Sequence, residues 1–437
     1  MLSDMLRANY PSLEDFFNAK AMEFLDKCVS CGECLRNCPM PPVVLGDVTP
    51  GKIMEKTARF LKYGEDSKEV YLKAFGCTLC GECSRSCLQG IDVVEVFGKV
   101  RSEYFKRGEI PDAIKQRETA PTYNPRTISA MLMKPSERRW MDAWSIKPSQ
   151  TENLVFLGCT LLFHPHFTLP WLDILENMKV DFIAIGGGPI EKGRGLCCGF
   201  PYYLSGNTKM FDKTAEDLIS IFKRFNPKRV ILTCSACYHF INKIYKKLEP
   251  LKIDFEVKYC GQFLLENVDK LEFKKSVNKK VYFQPSCGNR KANVDDVLHK
   301  LLGKIPGLTV IKGPYLCCGG TPKVAFPEVF AKTVPVFREF LTKRVIENEC
   351  DLLTMGCQQC ALAFSPYLVE GQPFTIESIF GIINEAMGGK KYENRWLKYW
   401  KCKSEDEIIE VSREYFKANG LTEEEARKTL AYILSWR

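Results

Sequence analysis

The sequence predicts an α+β multidomain chain: a helical cysteine-rich module, two related α/β units with parallel sheets, and a helical tail. Three observations lead there. Two cysteine runs of one spacing, Cys28, Cys31, Cys34, Cys38 and Cys77, Cys80, Cys83, Cys87, stand near the N-terminus. A different pattern of five cysteines then occurs twice, threaded through short apolar runs that alternate with helical stretches. From about residue 389 the pattern stops and helix-capping signals take over.

A chain of 437 residues has room for roughly three domains at about 150 residues each. Its 45 % hydrophobic and 26 % charged residues exclude a disordered or fibrous protein. The 21 cysteines are too diluted for a disulfide scaffold, and MLSDMLRANYPSLEDFF lacks the apolar core of a secretory signal. The most apolar stretch, 154–172, contains His164, Pro165, His166 and Pro170 and does not read as a membrane span. The thiols therefore read as metal ligands in a reducing cytoplasm. The formal charge of +9 falls by about four when two thiolate-held cubes are added. The lysines are spread along the chain, so nucleic acid is not an expected partner.

The first run has the spacing C-x2-C-x2-C-x3-C-P, ending at Pro39; the second repeats it with Leu88 in place of proline. Tight C-x2-C turns bring successive thiolates to corners of one [4Fe-4S] cube, and in two-cluster ferredoxins the fourth cysteine crosses to the other cube. Cys28, Cys31, Cys34 and Cys87 are then expected to hold one cube, and Cys77, Cys80, Cys83 and Cys38 the other. Structural zinc needs only two C-x2-C pairs and leaves this double spacing unexplained. The 38 residues between the runs exceed what a hairpin ferredoxin needs. Ile53, Met54, Ala58, Phe60, Leu61, Tyr71 and Leu72 give that insert a helical pattern, so the module resembles the α-helical two-cube ferredoxin of respiratory reductases. Residues 111–150 carry Pro111, Pro121, Pro125, Pro135 and Pro148 without a clear period. They read as a connecting segment over a surface, packed through Trp140 and Trp144.

The five-cysteine pattern is Cys159, Cys197-Cys198-Gly199, Cys234, Cys237, and again Cys287, Cys317-Cys318-Gly319, Cys357, Cys360. A repeat of this kind marks a duplicated structural unit. LVFLGC, FIAIGG and RVILTCSAC in the first copy correspond to VYFQPSC, LTVIKG and DLLTMGCQQC in the second. Helical segments 214–225 and 329–346 intervene. Strands alternating with helices make a parallel sheet, and ligands collect beyond its carboxyl ends, where these thiols fall. Adjacent cysteines in an extended strand would point apart; Gly199 and Gly319 allow the turn that brings both to one centre. Five sulfurs suggest a larger or opened cluster, against the alternative of a four-thiolate zinc with one spare thiol.

Together these motifs resemble the catalytic subunit of heterodisulfide reductase in its D-type form, over roughly residues 25–385: a two-cube ferredoxin fused to two CCG domains. Iron–sulfur subunits of anaerobic glycerol-3-phosphate, glycolate and lactate oxidation systems share this architecture. The resemblance implies a noncubane [4Fe-4S] cluster on Cys159, Cys197, Cys198, Cys234 and Cys237, and a second on Cys287, Cys317, Cys318, Cys357 and Cys360. In the second copy the CC pair lies eight residues closer to its first cysteine. The expected organisation is a helical extension (1–24), an α-helical ferredoxin domain (25–110), the connecting segment (111–150), pseudo-twofold related CCG domains (151–275 and 276–388) and a helical tail (389–437).

The function this implies is reduction of a heterodisulfide or related disulfide, small or protein-borne, at two noncubane clusters fed by two cubane clusters. The alternative is an electron relay without its own substrate, linking a dehydrogenase or flavoprotein to quinone or a cytochrome. Completeness of both five-cysteine sets favours the first. The electron donor would be a flavoprotein, a hydrogenase or formate dehydrogenase module, or a membrane cytochrome b. The protein is expected in the cytoplasm, or on the inner face of the membrane through such a partner.

His164 and His166, just beyond Cys159, are candidate proton donors because imidazole titrates near neutrality; a surface loop is the bland alternative. Arg194, Arg290 and Lys291 could meet an anionic substrate or be solvated charge. Gly186-Gly187-Gly188-Pro189 is not G-x-G-x-x-G and gives no nucleotide site. Cys260, Cys350 and Cys402 have no assigned role; Cys350 reads as a small core residue. In the tail, Ser404 to Glu407 and Thr422 to Glu425 are capping boxes separated by Asn419-Gly420. Ile408, Ile409, Val411, Tyr415 and Phe416 supply an apolar face, expected to fold back on the second repeat, with a partner protein as the alternative occupant.

Overall fold

The computed structural model describes residues 9–36, 38, 48–119, 125–138, 140, 149–187, 196–435 and 437. Pro39, Pro121, Trp144, Pro148, Gly188, Pro189 and Arg194, singled out above, lie outside the described residues.

The N-terminal module is helical throughout its described part. Helix Leu13–Lys27 starts at Ser12, whose hydroxyl accepts from the Asp15 N–H, a cap worth about 1 kcal/mol. It buries Phe16, Phe17 and Phe24 and packs on helix Val93–Lys106. That helix runs straight into Cys28, so the expected boundary at residue 24 falls inside a continuous element. The insert between the cysteine runs forms helices Pro50–Tyr63 and Lys68–Phe75, as its apolar period predicts.

The connecting segment contains more structure than expected: helices Asp112–Thr119 and Pro125–Leu132, and a 3-10 turn at Pro135–Arg138. Pro125 opens its helix rather than breaking it, since a first-turn residue needs no N–H. Ile128, Met131 and Leu132 are fully buried, and Trp140 is buried as well.

Two four-stranded parallel sheets follow. Strands β1 (Asn153–Phe156), β2 (Phe182–Ile185), β3 (Arg229–Leu232) and β4 (Glu256–Tyr259) lie in the order β2-β1-β3-β4. Strands β5 (Lys279–Gln284), β6 (Leu308–Lys312), β7 (Leu352–Met355) and β8 (Thr375–Ile376) repeat it as β6-β5-β7-β8. The fourth strand of each sheet was not legible in the sequence. Glu256–Tyr259 alternates but is short, and Thr375–Ile376 is only two residues long. The predicted helices appear as Thr208–Lys223 and Pro327–Glu347.

The sheets pack through reciprocal contacts. Helix Cys260–Glu266, after β4, lies on helix Asp295–Leu302 of the second unit; helix Ile379–Ala386, after β8, lies on helix Pro165–Asn177 of the first. On the second of these, Ser378 Oγ donates to the His166 carbonyl at 2.7 Å and Trp171 packs on Phe380 at 5.0 Å. Each unit therefore closes the other's core, the arrangement a pseudo-twofold requires.

The tail forms helices Trp396–Lys401, Glu405–Ala418 and Glu423–Leu434. Thr422 and Glu425 form the capping box read from the sequence, whereas Ser404 caps its helix by its hydroxyl alone and Glu407 accepts from the Lys403 N–H instead. Ile408, Ile409 and Phe416 are buried, whereas Val411 is exposed and leaves the predicted face. The tail does fold back, onto more than the second repeat: Trp400 Nε1 donates to Ser365 Oγ at 2.7 Å, Trp396 Nε1 to the Phe163 carbonyl at 3.1 Å, and helix Glu405–Ala418 covers helix Pro125–Leu132. Deleting 403–437 is expected to lower the melting temperature of the isolated chain, and Phe416→Ala alone to cost about 3–5 kcal/mol in denaturant titration. An unchanged melt with lost assembly into a complex would assign the tail to a partner instead.

Candidate metal centres

Each cysteine run is shaped by a pair of left-handed residues, Ser30 and Gly32 in the first, Leu79 and Gly81 in the second. The same turn repeats because the spacing repeats. Ser30 N–H points at Cys28 Sγ at 3.4 Å and Leu79 N–H at Cys77 Sγ at 3.3 Å, donors suited to thiolates that carry negative charge. The helices Glu33–Arg36 and Glu82–Arg85 pack on one another and exchange the fourth cysteine of each run. Cys28, Cys31, Cys34 and Cys87 line one pocket; this is the first quartet. Cys38 joins Cys77, Cys80 and Cys83 in the second.

The quartets differ in surroundings. Cys31 is the exposed member of the first, and Cys28 and Cys87 are half-buried. Burial, then the neighbouring Cys87 and Cys28, pushes Cys34 up to about 12. In the second, Cys77, Cys80 and Cys83 are buried. Burial opposes ionisation of Cys77, yet Lys73, Arg101 and the Leu79 N–H hold it below the ordinary thiol value.

The α/β units deliver their cysteines from strand ends. Cys159 and Cys287 are the third residues after β1 and β5; Cys234 and Cys357 are the second after β3 and β7. The CC pairs reach the same edge because Gly199 and Gly319 adopt φ 73° and 72°. Neither could carry a side chain: a Cβ would stand 2.8 Å from Phe211 in the first unit and would run into Thr333 Oγ1 in the second. In the first unit Cys197 lies beside Cys159 and Cys198, and Cys237 beside Cys198 and Cys234. In the second, Cys360 Sγ is 3.4 Å from Cys318 Sγ, with Cys357 and Cys287 close by.

Nine of these ten thiols line one cavity of about 230 Å³ between the units. The tenth, Cys317, lies toward the ferredoxin module, within electrostatic reach of Cys80 and Cys38. Tyr315 stands among Cys80, Cys287 and Cys317. The second quartet thus adjoins the second unit, and the first quartet faces solvent. The rest of the described lining mixes apolar side chains (Leu204, Phe240, Val324, Tyr432) with uncharged polar ones such as Ser235, Gln358 and Gln359, and has Lys291 and Lys323 as its cations and no carboxylate. Gln358 crosses between the units, donating to Thr160 Oγ1 at 2.5 Å and lying beside Cys234.

Among the described residues no three His, Cys, Asp or Glu side chains form a ready-made site for a single metal ion. Thiol-only donor sets with backbone N–H groups on sulfur fit iron–sulfur clusters better than the zinc alternative. Cys260, Cys350 and Cys402 are buried, each directed at a backbone carbonyl, and Cys260 lies within electrostatic reach of Cys234.

The structure buries both candidate histidines. His164 and His166 are 1 % and 3 % exposed, lie outside the cavity lining, and pack among Phe163, Phe167 and Trp396. Pro165 starts a buried helix where a surface loop was the bland alternative. Burial pushes His164 down to about 4, against its hydrogen bond to the Thr160 carbonyl, and drives His166 well below its ordinary value. The histidine that does line the cavity is His239, kept neutral by burial, then by Lys291 and Lys243. Its position two residues beyond Cys237 was the available signal. Arg290 pairs with Glu82 and covers the Tyr315 ring at 4.7 Å, so it joins domains, whereas Lys291 reaches the cavity.

Residues 24–91 match the family of 4Fe-4S dicluster domains and residues 154–242 the cysteine-rich CCG family. A helical dicluster module joined to α/β units with cysteine-lined strand ends defines an iron–sulfur protein with CCG architecture. More particularly, the chain is similar to the D-type subunit of heterodisulfide reductase. It is 24 % identical over 409 residues to the subunit designated D of the dihydromethanophenazine:CoB–CoM heterodisulfide reductase of Methanosarcina barkeri, covering 83 % of this chain and 94 % of that one. It is 22 % identical to the subunit designated B of the fumarate reductase (CoM/CoB) of Methanothermobacter marburgensis, over 72 % of this chain and 63 % of that one. With the subunit designated C of the anaerobic glycerol-3-phosphate dehydrogenase of Escherichia coli the identity is 27 % over 56 % and 61 %. These relatives are subunits of redox complexes. Among the described residues no helix is long and apolar enough to cross a membrane.

Burial outside the cavity assigns His164 and His166 to the core. The double variant His164→Gln/His166→Gln should lose roughly 1–3 kcal/mol of stability per imidazole with turnover per folded molecule unchanged. Slowed turnover at full iron content and unchanged melting would restore their proton role.

Proposed function

We propose that the chain is the disulfide-reducing subunit of a redox complex. Cys28, Cys31, Cys34 and Cys87 would hold one cubane [4Fe-4S] cluster, and Cys77, Cys80, Cys83 and Cys38 a second. The five cysteines of each α/β unit would hold a noncubane cluster, in domains spanning about 151–275 and 276–388. Bound there, such clusters supply single electrons and iron sites for sulfur, and the overall reaction is R–S–S–R′ + 2e⁻ + 2H⁺ → RSH + R′SH. The observation that carries this reading is the shared cavity, where nine of the ten cysteines of the two units meet across about 230 Å³.

The chain's own residues prepare the site. Leu204, Phe240 and Val324 give the region between the thiols an apolar wall. Tyr432 in the tail completes that wall. Gln358 fixes the register of the two units. An electron donor, whether a flavoprotein, a hydrogenase or formate dehydrogenase module or a membrane cytochrome b, would approach the exposed Cys31. Any membrane association would run through such a partner.

The likeness to the glycerol-3-phosphate dehydrogenase component favours a second reading, an electron relay without substrate. Metal content separates the two. Anaerobically purified protein should contain about sixteen irons and no zinc, and a disulfide or thiol should change its EPR spectrum. About eight irons with zinc near two would favour the relay. Cys318→Ser should remove about four irons and the thiol-dependent signal while leaving the ferredoxin signals.

A further inference from the structure

The two quartets share a ligand spacing and differ in charge environment. Among its described lining, the first meets Phe24, Val29, Met54 and Leu88 and no charged side chain, and Lys73 acts on it only from a distance, through Cys34 and more weakly than burial, Cys87 and Cys28 do. Beside the second lies Lys73, 4 % exposed. Its ammonium donates to Cys38 Sγ at 3.3 Å and rests over the Phe97 ring at 5.4 Å. These partners are a thiol and an aromatic face, not a carboxylate. Arg101, fully buried, is held by the carbonyls of Ala74 and Tyr203 and lies within electrostatic reach of Cys77. Lys291 also acts on Cys77, but Glu95, 3.9 Å away, offsets it.

A lysine buried without a carboxylate is costly unless an anionic group stands permanently beside it. A thiolate-held cube is such a group, and reducing it adds one further negative charge without breaking a bond. We propose that Lys73, with Arg101 behind it, raises the reduction potential of the cluster held by Cys38, Cys77, Cys80 and Cys83 above that of the cluster held by Cys28, Cys31, Cys34 and Cys87. This rests on the reading that both quartets hold cubanes. Two effects compete. Water at the exposed Cys31 edge favours reduction of the outer cluster, and burial disfavours reduction of the inner one. Water screens charge, whereas a fixed cation acts more strongly as the local dielectric falls, so the inner cluster accepts electrons first. Electrons arriving at the surface are drawn inward, toward Cys317 and the cavity.

The test is a potentiometric EPR titration of the full-length, anaerobically purified protein, with a soluble dysprosium chelate as relaxation agent. The cubane reduced first should be insensitive to the chelate and the second should respond. Lys73→Met, or Lys73→Gln if the first variant does not fold, should move the earlier step to lower potential and the later step by less, narrowing their separation. Lys73→Arg should retain the separation, and the exposed Lys52→Met should move neither step. A first-reduced cluster that the chelate relaxes, or an unmoved early step in a folded Lys73→Met protein with full iron, would overturn the inference alone. Failure to find two reducible cubanes in the wild-type protein would overturn the underlying assignment as well.

Discussion

The constraint on which the rest depends is the reciprocal closure of the two α/β units. A sheet of four strands, each only a few residues long, has too little surface to bury both faces and its helices alone. Here the last helix of each unit is seated on the first helices of the other. That exchange turns the carboxyl edges of both sheets toward a common space, so thiols delivered from four strand ends reach one cavity. Helix Ser235–His239 against helix Cys287–Ala292 fixes one side of that space, and Gln358 against Thr160 fixes the other.

The same packing grades the environment from surface to interior. The ferredoxin module stands with one quartet toward water and the other against the second unit, and the Phe17–Tyr203 contact at 5.4 Å ties it to the first. Cys31 is exposed, Cys80 is buried, and Cys317 lies between the module and the cavity. Charges follow this grading. Buried Glu95 and Arg101 meet half-buried Lys291 where the three units join, with Arg101 held by the Ala74 carbonyl and the Tyr203 ring and Lys291 placed over Tyr203 and 3.9 Å from Glu95. Tyr432 brings the tail to the cavity, and the tail in turn packs on the helix Pro125–Leu132.

Elements that depend on near neighbours were legible. The capping residues Ser404 and Thr422, the C-x2-C turns and the helical insert rest on contacts within a turn or two of chain. The helix at Pro125 was not, because proline at the first helical position reads in isolation like a loop. β8 was not, because two residues carry no period. His164 and His166 show the limit most clearly. Their spacing from Cys159 suggested a place at the site, but the cover that buries His166 comes from Ser378, 212 residues away.

The sequence by itself determined which groups can bind metal, their spacing, the duplication of the five-cysteine unit and the helical character of both ends. These follow from residue type and from geometry along a few residues of backbone. Only the tertiary structure decided which quartet meets water, which unit adjoins the inner quartet, and that Lys73, His239 and Gln358 stand beside the thiols while two other histidines do not. Those outcomes depend on desolvation and on charge separations between segments far apart in the chain, and both are defined only once the units have packed.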